Sequence, residues 1–229
     1  MGTSSARRGP TTALWRAAKG AATRYLSPEG GGAVTAQEVV ARYLAALEET
    51  PGQGDRLAVF RFTRKVAQDL GTFGEEVKAQ GWEKALQNRG LASLAHSDAA
   101  LLAQGVSGVL AGGGGGLEEA VVRVALARVL QPMVQSKDRM EPVPLVRQFL
   151  VTALTLRLVL DLGESLEAAA GSYGRLKDGL ARLKGLIEVD VLGTEGEPVP
   201  PATPEHWQGL PGWTWVTASL AALMAKLGQ

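Results

Sequence analysis

The 229-residue chain has no cysteine, two histidines (His96 and His206) and one asparagine, Asn88. Without cysteine there are no disulfides, no thiolate nucleophiles and none of the usual cysteine-held zinc or iron–sulfur sites. The same absence suits a cytoplasmic protein. The two histidines stand far apart in the sequence with no metal-ligand spacing around either, so neither a metal site nor a histidine-based triad is expected. The shortage of thermolabile Asn and Cys, beside abundant Ala, Leu, Gly and Arg, points to a thermophilic or GC-rich bacterial source.

A strong overall charge is also missing. The formal net charge is only +1, which argues against a chain that coats nucleic acid over its whole surface. The charge is nevertheless uneven. Residues 1–28 hold Arg7, Arg8, Arg16, Lys19 and Arg24 and no acid, and Glu29 is the first carboxylate. An uninterrupted apolar run is lacking as well. "PLVRQFLVTALTLRLVLDLG" (144–163) approaches membrane-spanning length, but Arg147, Arg157 and Asp161 interrupt it. A helix buried within a helical domain is the expected reading. The first apolar stretch is short, Ala-rich and broken by Arg16 and Lys19, so no secretory signal is expected.

What the chain does have is helical periodicity, and 45% hydrophobic residues to build a core. "TTALWRAAKGAATRYLS" (11–27) places Trp15, Ala18, Ala22 and Tyr25/Leu26 at helical spacing. "TAQEVVARYLAALEE" (35–49) follows, with Thr35 and Glu38 in capping-box register. Residues 57–95 predict further helix with breaks at Gly71, Gly74, Gly81 and Gly90. A short helix is expected over 96–111, and the clearest amphipathic one over 117–131, with Pro132 arguing against a longer run. From Pro144 to about Glu188 the pattern predicts two long helices or one bent near Gly163. A Pro/Gly/acid-rich loop covers 190–206 and a last helix 213–228. The only alternating stretch is "IEVDVLG" (187–193). The expected fold is all-α, a multi-helix bundle of about seven to eight helices. It divides into a flexible tail at 1–10, an N-terminal helical region at 11–131 and a C-terminal helical region at 132–229 packed on it.

Catalytic groupings do not emerge. The run "AGGGGGLEE" lacks the Lys-Ser/Thr of a phosphate loop and any strand before it, and its acids would repel a phosphate. It predicts a flexible linker. Glu48/Glu49, Glu75/Glu76 and Glu118/Glu119 are adjacent pairs that diverge by about 100° on a helix, which assigns them to solvated faces. Trp207, Trp213 and Trp215 are expected in the core or at helix ends, with an exposed partner patch as the alternative. The chain is read as a non-enzyme, with no cofactor.

The opening "MGTSSARRGP" is the remaining feature of chemical interest. Removal of Met1 would leave the Gly2 amine free. An α-amino group titrates near 7.7–8.0, against about 10.4 for lysine, so roughly a tenth to a fifth of it is neutral and nucleophilic near pH 7. Ala6 stands where eukaryotic-type myristoylation wants Ser or Thr.

An ordered set of segments resembles the QatB family of the four-gene Qat anti-phage defence systems. These are the Met-Gly-Thr-Ser-Ser start with Gly9-Pro10, "WRAAKGAATRYLSPEGGG" (15–32) and "VARYLAAL" (40–47). They continue with "DLGTFGEEVKAQGWEKALQNRGLASL" (69–94) and "GGGGGLEEAVVRVALARVL" (112–130). The resemblance covers roughly residues 1–131. The Pro-rich spacer that the family often carries after its start is nearly gone here, and "SARR" replaces a less charged stretch.

The resemblance implies a subunit working with a P-loop ATPase (QatA), a QueC-like enzyme (QatC) and a TatD-like nuclease (QatD), away from any membrane. It implies Gly2 as acceptor of a deazaguanine-type amide made by the QueC-like enzyme. Thr3, Ser4 and Ser5 would lie extended in the partner's groove, Arg7 and Arg8 would steer the segment, and Gly9 and Pro10 would complete the contact. Two other readings stand beside it: a DNA-contacting protein whose basic residues 7–24 meet phosphates, and a pure scaffold of the same complex.

Overall fold

The computed structural model describes residues 12–27, 34–49, 57–112, 115–136, 140–189 and 198–229. Among these residues there is no strand, and ten α-helices account for most of them. In order they are α1 Ala13–Leu26, α2 Ala36–Glu48, α3 Arg61–Gln80, α4 Trp82–Asn88, α5 Ala99–Ala111, α6 Leu117–Ser136, α7 Pro142–Ala170, α8 Tyr173–Val189, α9 Pro204–Gln208 and α10 Leu210–Leu227. The all-α expectation holds, with more helices than expected because α4 and α9 are only seven and five residues long. So short a piece carries too few turns to show a period.

The glycines divide by conformation rather than by identity. Helix α3 runs straight through Gly71 and Gly74, and α7 through Gly163, where breaks were expected. The breaks expected at Gly81 (φ 82°) and Gly90 (φ 73°) are present, and Gly171 (φ 65°) adds another, all in the left-handed region that favours glycine. Helix α6 likewise continues past Pro132 to Ser136. Residues 187–189 of the one alternating stretch are helical, as the end of α8.

The described residues fall into two compact units. One is drawn from Met1–Val59, Leu158–Leu186 and Lys226–Gln229, the other from Phe60–Arg157 and Ile187–Ala225. Helix α7 contributes its Leu158–Ala170 portion to the first and Pro142–Arg157 to the second.

In the first unit α1 packs on α2 through small side chains, with Ala18, Ala21 and Ala22 fully buried against a core that includes Val39, Val40, Leu44 and Leu47. Trp15 meets Tyr43 edge-on, 5.9 Å between ring centroids. Tyr43 is itself fully buried, and its hydroxyl donates to Asp161 Oδ2 of α7 at 2.9 Å. A buried phenol needs such an acceptor, so this bond ties α1, α2 and α7 at one point. Thr35 accepts from the Glu38 amide as the capping pattern predicts, while the Glu38 carboxylate turns forward to Arg42 at 2.5 Å.

The second unit is organised by α3, whose Val66, Ala67, Leu70 and Phe73 are fully buried. Its Arg64, Gln68 and Gly71 recur at helical spacing and meet the C-terminal segment. The Arg64 guanidinium lies 4.6 Å above the Trp213 ring and donates to Thr217 Oγ1 at 3.2 Å. Gln68 donates to the Gly209 carbonyl at 2.8 Å. Gly71 leaves the space that Trp207 fills, since a Cβ there would stand 2.1 Å from the Trp207 ring. Trp207 and Trp215 are fully buried and pack edge-on at 5.3 Å, which places them in the core as expected. Helix α5 packs on α6, burying Leu102, Val106 and Leu110 with Val122, Leu126 and Leu130.

Three acids placed on solvated faces by their sequence turn out to be structural. Glu118 accepts from both the Thr63 amide (2.8 Å) and the Thr63 hydroxyl (3.0 Å). It caps α3, whose own N-cap Phe60 offers no side-chain acceptor. Glu49 does the same for α1 by accepting from the Leu14 amide at 3.2 Å. Glu76 pairs with Arg89 at 3.0 Å. Spacing along one helix could not show this, because each partner lies on another element.

Helix α7 is long and apolar enough to cross a membrane, with a mean hydropathy of 1.6 over its most apolar window, and 44% of that window is buried inside the protein.

Candidate functional site

Gly2, Thr3, Ser4, Ser5, Arg7, Arg8, Gly9 and Pro10 lie outside the described residues. What the structure does place is the root from which that segment departs. Thr12 is the N-cap of α1, its side chain accepting from the Trp15 amide at 3.4 Å. Glu49 takes the next amide, Leu14, and Trp15 is buried against Tyr43. The first turn of α1 is therefore held by two acceptors and one buried ring.

The other candidate reactive groups are separated. His96 is exposed in the turn before α5, and His206 is exposed in the first turn of α9. Among the described residues no three of His, Cys, Asp and Glu come together to hold a metal ion. At the glycine run the Gly116 amide donates to the Glu119 carboxylate, so this amide at the start of α6 already has an anion. Glu205, fully exposed in the first turn of α9, has its carboxyl held below the usual range by its backbone amide and by the Thr203 hydroxyl. The N-cap of that short helix is Thr203, whose side chain accepts from the His206 amide at 3.3 Å.

A cleft in the second unit was not foreseen. It has a volume of about 580 Å³ and is lined by Trp82, Leu86, His96, Leu102, Val134 and Gln135, among others. A second hollow of about 390 Å³ shares Glu83, Ala95 and His96 with it and adds Lys84. Trp82 is fixed by an edge-on contact with Phe73 at 5.6 Å. The size falls within the range of small-ligand sites. Its floor suits an apolar or flat group, and its rim offers an imidazole, a carboxylate and amides. Its lining comes from α4, α5, α6 and the turn before α5, so no stretch of sequence displays it.

Residues 52–193 match the family model described as Qat anti-phage system associated protein QatB. The chain belongs to the QatB family. It is accordingly a component of the Qat anti-phage defence system. The matched stretch takes in α3 to α8 of this QatB-family protein, including the cleft. It starts after α1 and α2, and it reaches well past residue 131. No curated protein and no solved structure gives a significant match.

Proposed function

We propose that this QatB-family protein is a non-enzymatic adaptor of the defence complex and the protein substrate of its QueC-like member, with Gly2 as acceptor. QueC-type enzymes activate a deazaguanine carboxylate with ATP and normally pass it to ammonia. A relative that took the Gly2 amine would form an amide, with the amine losing a proton and the activated carboxyl losing its nucleotide leaving group. The observation that carries this reading is the family match, joined to a basic, acid-free segment whose root is fixed at Thr12. The Gly2 amine lies ten residues ahead of Thr12, so in no conformation can it stand more than about 35 Å from that cap. The partner must therefore come to the α1 end of the first unit. Small side chains at Thr3, Ser4 and Ser5 suit an extended peptide in a narrow groove, while Arg7 and Arg8 favour an anionic nucleotide site. The P-loop ATPase and TatD-like nuclease complete the proposed assembly, which works in the cytoplasm.

Intact-mass measurement of the protein co-expressed with its QueC-like neighbour tests this. A single added deazaguanine acyl group on the N-terminal peptide is expected, and it should vanish when the neighbour is inactivated. An unmodified N-terminus beside an active enzyme and its precursor would rule the assignment out.

A further inference from the structure

The charge of the first unit is sorted by helix. Helix α1 carries Arg16, Lys19 and Arg24 and no acid, and α8 up to Leu186 carries Arg175, Lys177, Arg182 and Lys184 against Asp178 alone. The acids of the unit sit mainly on and beside α2 and on α7, as Glu38, Glu48, Glu49, Asp161, Glu164 and Glu167. In a chain of net charge +1 this is local concentration of positive charge, not general basicity. The two basic helices adjoin. The Tyr25 hydroxyl donates to the Gly179 carbonyl at 3.2 Å, and Leu26 packs where a Gly179 side chain would be. Arg182 stands near enough to Tyr25 to act on its hydroxyl, and Arg24 is exposed beside it.

Along α8 the buried row is Gly179, Leu183 and Ile187. Helical spacing sets Arg175 and Arg182 on one flank of that row, and Tyr173, Lys177 and Lys184 on the other. Each same-charge pair seven residues apart spans about 10 Å along the helix. Among the described residues, Lys19, Arg24, Arg175 and Lys177 have no carboxylate partner. Tyr173 is 80% exposed and touches no other ring. An aromatic face held in water one helical turn from an unpaired lysine is the pairing that single-stranded nucleic acid uses, bases stacking on the ring while phosphates meet the cations. An acidic protein surface would use the cations but leave the ring idle.

We propose that single-stranded nucleic acid crosses the exposed ridge of α8 beside α1, phosphates lying on Arg24, Arg175 and Arg182 on one flank and on Lys177 on the other, with one base on Tyr173. The test is fluorescence anisotropy of the full chain with a labelled twenty-nucleotide oligothymidylate between 50 and 200 mM KCl. Each of the three charges removed by R175A/K177A/R182A should lower the slope of log K against log salt by about 0.7. Tyr173→Ala should weaken binding roughly 5- to 100-fold and leave the slope alone, with Tyr173→Phe retaining it. All four positions are exposed, and circular dichroism melts would confirm intact helices. No binding at 50 mM KCl would overturn the proposal. So would an unchanged slope in the triple variant, or displacement by polyglutamate with Tyr173→Ala silent. Binding lost only when residues 1–10 are deleted would place the site elsewhere and overturn it too.

Discussion

Replacing Gly71 by alanine should destabilise the protein, although the same replacement in most exposed helix interiors stabilises. Glycine within a helix costs about 0.5–1 kcal/mol relative to alanine. Gly108, exposed in α5 with nothing within 4 Å of a built Cβ, should return that amount as Gly108→Ala. At Gly71 a Cβ would stand 2.1, 2.4 and 2.5 Å from three Trp207 ring carbons. Ordinary carbon contacts lie near 3.5–4.0 Å, so the ring or the helix must move by more than about 1 Å. The ring has nowhere to go. Trp207 is fully buried and sits edge-on against Trp215, over which the Arg147 guanidinium lies at 5.7 Å. Its own carbonyl is pressed against Gly212, where a Cβ would be 2.1 Å away.

Overpacking of this kind costs typically 1–3 kcal/mol, occasionally more, which exceeds the helix gain. Urea denaturation followed by tryptophan fluorescence should show the midpoint lowered in Gly71→Ala and raised in Gly108→Ala, with m unchanged in both. A second variant isolates the contact. Trp207→Phe should cost less in the Gly71→Ala background than in the wild type, by about 1 kcal/mol of coupling. Equal stabilisation by Gly71→Ala and Gly108→Ala would refute the reasoning.

Glu118→Ala should lose about 1 kcal/mol by uncapping α3, seen as reduced amide-exchange protection in its first turn, whereas Glu119→Ala should leave that turn unchanged. Arg64→Lys should destabilise by about 1–2 kcal/mol, read in urea midpoints, because ammonium cannot both lie flat on Trp213 and reach Thr217. Burial raises the Tyr25 hydroxyl above 10.0, with Arg182 opposing this. A raised group gives stability that is complete below pH 10 and lost as pH climbs through the folded value, so alkaline melts should fall from about pH 10. Tyr25→Phe should blunt that decline while forfeiting about 1 kcal/mol with its bond to Gly179.

Much of the fold was readable because α1, α2 and α6 each bury one periodic stripe, and periodicity is a local property. Trp15, Ala18 and Ala22 are in the core for the reason their spacing suggested. Glycine misled wherever its use was tertiary. Gly71 is small for Trp207, more than 130 positions away in sequence, and nothing near it in the chain says so. The acids misled in the same way, since Glu118 finds its partner on α3 and Glu49 on α1. The cleft beside Trp82 was invisible because four elements contribute to it. The basic helices were half visible: the acid-free run through Arg24 showed in the sequence, but its union with α8 rests on Tyr25 and Gly179 meeting across 154 positions.

The remote cap on α3 has a consequence for the order of events at the ribosome. Thr63 is synthesised 55 residues before Glu118, the carboxylate that closes its helix. At 5–20 residues per second the nascent α3 waits roughly 3–11 s with its first amides unanswered, and α1 waits for Glu49 over a shorter interval. A chain released between these points has the right residues for α3 and no acceptor to start it.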